Sequence, residues 1–132
     1  MKLDTTARSI SSALRTARGY AISNNTEYYV FFDPATTPNT YFISDQEDGS
    51  VVEEKIYKLA TGVWFYDPDG ADAIGFTKGT HVNAKAACFK STGELNETAS
   101  STSVYIADGN DATTQYKKTI TVERTTGRVK ID

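Results

Sequence analysis

Near the start of the chain, apolar residues recur at Leu3, Ala7, Ile10, Leu14, Ala17 and Ala21, advancing by 4, 3, 4, 3 and 4 positions. That rhythm holds them on one side of an α-helix. The seam is narrow and rich in Ala, so whatever covers it must approach closely. Arg8, Ser11, Ser12, Arg15 and Arg18 fall outside the seam. Gly19 weakens the last turns, and the run Ser23 to Asn25 supplies residues that tolerate left-handed backbone. The pattern therefore predicts a helix over 3–24.

No later stretch repeats this period. From Glu27 onward, short β-type runs alternate with turn residues. The runs fall at 27–32, 40–44, 51–59, 62–67, 73–76, 81–90, 103–108, 116–124 and 128–131. In the penultimate run Ile120 and Val122 share one face, while Thr119, Thr121 and Glu123 take the other. Thr125, Thr126 and Gly127 form a natural hairpin turn, with Gly127 where positive φ is needed. About eight short strands after one helix predict an α+β fold: an N-terminal amphipathic helix packed on antiparallel β-sheets, two small ones.

Composition sharpens this. Eight Tyr, six Phe and one Trp in 132 residues favour strands, and 39% hydrophobic residues suffice for a core. The length suits one domain. Net charge is −3, so no global field gathers nucleic acid. Cys88, the one cysteine, has no partner for an internal disulfide; it lies in an apolar-leaning stretch and reads as a buried, inert thiol. No run approaches the roughly 20 apolar residues of a membrane span.

Three pieces then occur in one order. The first is the helix ARSISSALRTARGYAISNN running into TEYYVFF. The second is ATGVWFYDPDGADAIGFTKGT. The third is STSVYIADGNDATTQYKKTITVERTTGRVKI, closing on Gly127-Arg128-x-Lys130. Together they resemble the GspH/FimT family, the minor pseudopilins of type II secretion and minor pilins of type IV pili. The family often carries Cys after the first strand, where this chain has none, and Arg is common where Lys130 stands. The resemblance implies a pilin-like domain over 1–132, with the helix at 3–24 and the β-rich part at 26–132. It implies that the helix continues an apolar anchoring segment with a processing site, neither of which lies in this chain. It further implies a subunit anchored in the inner membrane, its soluble domain in the periplasm or outside the cell, in contact with other pilin or pseudopilin subunits, and with no small-molecule substrate.

Candidate chemistry is sparse. His81 is the single histidine, and no nucleophile elbow, phosphate loop or metal-spaced Cys/His pair occurs, so catalysis is not expected. Asp67, Asp69 and Asp72 cluster in one turn, and Asp45, Glu47 and Asp48 in another. Neither cluster has the spacing of an EF-hand loop, and Asp-Pro-Asp-Gly is first of all a turn, so calcium is only a weak candidate and no cofactor is expected. Some minor pilins of the family resembled here take up DNA through basic residues near the C-terminus. Here those residues are Lys117, Lys118, Arg124, Arg128 and Lys130. The simpler reading makes them the solvated face of an edge hairpin, which deters edge-to-edge aggregation. The expected function is assembly through protein contacts. DNA binding by the C-terminal hairpin is the alternative, and an unrelated β-domain is the competing class.

Overall fold

The helix α1 spans Lys2–Asn24. In this computed structural model, described over residues 2–36, 38–50, 52–60, 62–66, 72–81, 83–108 and 116–132, it closes in a Schellman motif. Thr26 N–H donates to Ala21 O at 3.2 Å and Asn25 N–H to Ile22 O at 3.4 Å, with Asn25 at φ 52°. Asn rather than Gly takes the left-handed position, because its short polar side chain tolerates it.

Among the described residues eight strands follow: β1 (Tyr28–Asp33), β2 (Thr40–Ser44), β3 (Glu53–Lys58), β4 (Val63–Phe65), β5 (Lys85–Phe89), β6 (Ser101–Asp108), β7 (Tyr116–Glu123) and β8 (Val129–Ile131). They form two four-stranded antiparallel sheets, ordered β3-β2-β1-β5 and β4-β6-β7-β8. The chain leaves the first sheet for β4, returns for β5 and leaves again for β6, so the two sheets are interleaved. The fold is α+β, with one N-terminal helix on two antiparallel sheets, as the pattern predicts.

The helix touches β1, β2 and β5 of the first sheet and β4, β6, β7 and β8 of the second. All six seam residues are at most 2% exposed. They meet Val30, Phe32, Phe89, Ile106, Ile120 and Val122 in one core cluster. The buried arc is wider than the seam. Thr6, Ser11 and Ala13 are buried too, Ser11 completely. Ser11 is a correction to the sequence reading, which put it outside the seam. At about 100° per residue the buried arc spans about 160°, because the helix lies on two sheets rather than one. Among the described residues, the Ser11 hydroxyl finds no hydrogen-bond partner.

Every residue of β1 is buried. Tyr28, Val30 and Phe32 face the helix, while Tyr29 and Phe31 join Phe42, Ala84, Ala86 and Cys88 in a second cluster. A strand covered on both faces reads as a continuous apolar run rather than an alternation. The run at 73–76 is not a strand. It makes one bridge, Ile74 to Val104, and lays Gly75 so flat on β6 that a Cβ there would meet Ser103 O at 2.8 Å. Its Phe76 is fully buried. The run at 81–90 becomes a strand only from Lys85, and that at 103–108 begins earlier, at Ser101.

Asn39 ties the β1–β2 loop to the other sheet. Its amide donates to Pro34 O and Thr36 O, and its Oδ1 accepts from Phe65 N–H at 2.9 Å. No helix among the described residues is long and apolar enough to cross a membrane.

Candidate functional site: an arginine-lined cleft

The five C-terminal basic residues do not form one patch. Lys117 places its ammonium over the Tyr105 ring, 5.0 Å from the centroid. Lys118 on β7 pairs with Asp4 on the first turn of α1 at 3.1 Å, and this contact holds the Asp4 carboxyl below its ordinary range. Arg124 donates to Thr98 O at 2.9 Å. Arg128 and Lys130 are exposed. Among the described residues, the Arg128 guanidinium makes no hydrogen bond; its backbone is engaged, the N–H donating to Thr126 Oγ1 and the carbonyl accepting from Glu123 N–H at 2.9 Å.

Arg128 joins two arginines from the helix instead. Arg15, Arg18, Thr126, Gly127, Arg128 and Val129 line a cleft of about 560 Å³ between α1 and the β7–β8 turn. Arg15 donates through a terminal nitrogen to Val129 O at 3.3 Å, and Arg18 through Nε to Gly93 O at 3.1 Å. Two glycines make room for Arg18. A Cβ on Gly127, at φ 68°, would meet Gly93 O at 2.1 Å and Arg18 Nε at 2.6 Å. A Cβ on Gly93, at φ 89°, would come within 3.0 Å of the same guanidinium. None of the three guanidiniums has a carboxylate partner among the described residues. Sequence reasoning missed Arg15 and Arg18 as site residues. Their only local signal is a spacing of three, which puts them on one flank of the helix.

The opposite flank of α1 carries a second groove, of about 320 Å³, lined by Thr5, Arg8, Ser9, Ser12, Ala13 and Thr16 with Tyr41, Ile43 and Tyr57. The Tyr41 and Tyr57 rings stack 5.1 Å apart, and burial pushes the Tyr41 phenol up to about 12.

The other candidates have structural roles or fall out of view. His81 packs against the stacked Phe31 and Phe42 rings, and its Nδ1 accepts from Asn83 N–H at 3.1 Å. Cys88 is fully buried, with its thiol 3.6 Å from a Glu27 carboxylate oxygen; burial, then that charge, pushes it up to about 12. Asp67 and Asp69 lie outside the described residues, and Asp72 is exposed. In the β2–β3 turn the Asp48 carboxylate accepts from Ser50 N–H at 2.9 Å. The Ser50 hydroxyl, and then that backbone contact, hold its carboxyl below the ordinary range. Among the described residues, no group of three His, Cys, Asp or Glu side chains is arranged to hold a metal.

No protein-family model, curated protein or solved structure matches this chain.

Proposed function

We propose that this chain is the globular domain of a structural subunit, a minor pilin or pseudopilin of a type IV pilus or type II secretion system, which acts by assembly rather than by chemistry. The observation that carries this reading is the division of α1. One face is spent on the two sheets, while both flanks present lined grooves to solvent. A helix so divided belongs to its own fold and to a neighbour at once. The resemblance of the helix and of the closing Gly127-Arg128-x-Lys130 to the GspH/FimT family supplies the class. In this reading the subunit works without a cofactor, its partners are other pilin-type subunits, and its domain lies on the periplasmic or outer side of the inner membrane.

The reading requires an apolar segment of about 20 residues continuous with α1 in the full gene product. Sequencing the natural reading frame upstream of residue 3 tests it, and a frame that opens at Met1 or carries only polar residues there refutes it. A second reading, DNA binding for uptake, rests on the exposed Arg128 and Lys130. It predicts binding that weakens steeply with salt and disappears when Arg128→Ala and Lys130→Ala are combined. A protein that binds no duplex at low salt removes it.

A further inference from the structure

We infer that the cleft between α1 and the β7–β8 turn is a docking site for an acidic peptide segment of another protein, with carboxylates on Arg15, Arg18 and Arg128 and an apolar side chain on Ile22. This names a partner chemistry for the assembly reading, but it stands on the cleft's own geometry, so either can fail alone.

Four observations point to a peptide. First, the three guanidiniums line one cleft and have no internal counter-ion among the described residues. Each guanidinium has five N–H donors, of which Arg15 and Arg18 use one apiece on backbone carbonyls. The remaining forks suit planar, two-oxygen carboxylates. Second, those carbonyl bonds and the flanking Gly93 and Gly127 hold two of the arginines in place before anything binds, so less side-chain freedom is lost on docking. Third, Ile22 lies one helical turn beyond Arg18, is 45% exposed, and its Cδ1 comes within 3.0 Å of a Cβ built on Gly93. A large exposed apolar side chain beside the arginines favours a ligand with both carboxylates and aliphatic groups. Fourth, three of the five C-terminal basic residues lie outside the cleft and are engaged. Lys118 is on Asp4, Arg124 on Thr98 O and Lys117 on Tyr105. Of the five C-terminal basic residues only Lys130 is exposed outside the cleft, and the net charge of −3 disfavours an extended polyanion.

The test is fluorescence anisotropy with a labelled hexapeptide, Glu-Leu-Glu-Glu-Leu-Glu, and its counterpart with every Glu replaced by Gln. The acidic peptide binds and the Gln peptide does not. Combining Arg18→Gln with Arg128→Gln weakens binding about tenfold or more, as expected for loss of charge-assisted bonds, while Lys130→Gln changes it less than about twofold. Should the double variant melt early, Arg128→Gln alone carries the test with an expected loss of about threefold, because its guanidinium makes no bond that holds the fold. Ile22→Ser separates the apolar contact and lowers affinity for the Leu-bearing peptide but not for hexaglutamate. Absence of binding, an equal loss in Lys130→Gln, or tighter binding of a twelve-base-pair DNA duplex at the same ionic strength overturns the inference.

Discussion

Replacing Ser11 by Ala is expected to make this protein more stable. The side chain is fully buried in the middle of α1, and its hydroxyl has no partner among the described residues. A buried polar group left unsatisfied costs about 1–3 kcal/mol of desolvation that folding does not recover. Ala also exceeds Ser in helix propensity by about 0.5 kcal/mol. Against these gains stand the dispersion contacts of one oxygen atom, each about 0.1–0.2 kcal/mol. The net gain is about 1–2 kcal/mol. For 132 residues the unfolding entropy near the midpoint is about 0.28 kcal/mol/K, so Tm should rise by about 4–7 °C. Thermal unfolding followed by far-UV circular dichroism measures the shift, and urea titration at unchanged slope confirms that it is stability that moved. The exposed neighbour Ser12 is the control. Ser12→Ala carries the propensity gain alone, about 0.5 kcal/mol, so the difference between the two variants isolates burial. A Ser11→Ala protein that melts no higher than Ser12→Ala would mean that the hydroxyl is bonded after all and that the helix packs differently at this turn.

Leu14→Asp puts an unpaired carboxylate in the centre of the seam. The lost packing and the buried charge together approach the whole stability of a small domain, so no cooperative melting transition should remain by calorimetry. Asn39→Ala removes two hydrogen bonds within the β1–β2 loop and one that joins that loop to β4, and should destabilise by about 2–4 kcal/mol in urea unfolding. Alkaline pH should also destabilise. The Cys88 thiol is raised from 9.0 to about 12 and the Tyr41 phenol from 10.0 to about 12, and Tyr29 is raised as well. The unfolded chain then releases protons that the folded one keeps, so Tm should be flat below about pH 9 and fall progressively towards pH 12. A Tm unchanged over that window would show that these groups are solvated in the native state.

The legible parts of the fold were those written in local periodicity. Leu3 through Ala21 repeat at one helical interval, and the exit at Asn24 and Asn25 follows from residue type, so both could be read directly. Gly127 was readable too, because a hairpin turn of that length needs one left-handed residue. Ser11 was not, since residue identity says polar while its angular position, next to Ala7 and Leu14, says inside. The second sheet decides between them, and no local pattern announces it. Similarly, 73–76 has strand composition, yet Gly75 presses its backbone onto Ser103 and leaves a single bridge. The cleft was the least legible feature. Arg15 bonds across 114 positions and Arg18 across 75, so only the folded chain brings them to Arg128.

The glycines at 93 and 127 show how folding and surface chemistry meet on α1. A positively charged side chain needed only for solubility can wave in water, and nothing in the scaffold has to make way for it. Arg18 instead lies against two loops from different parts of the chain, and each loop has glycine and positive φ at the point of approach. Gly127 answers a second demand as well, the hairpin turn between β7 and β8. A Cβ there would strike Gly93 O before it reached the guanidinium, so the β7–β8 turn and the loop at Gly93 are packed directly on one another. The position of Arg18 is thus fixed by the same contact that closes the second sheet against the helix. Its removal should loosen that junction slightly, through one hydrogen bond to Gly93 O, whereas removal of Arg128, which makes no such bond, should leave it alone. The two variants divide the cleft into a part that serves the fold and a part free to serve a partner.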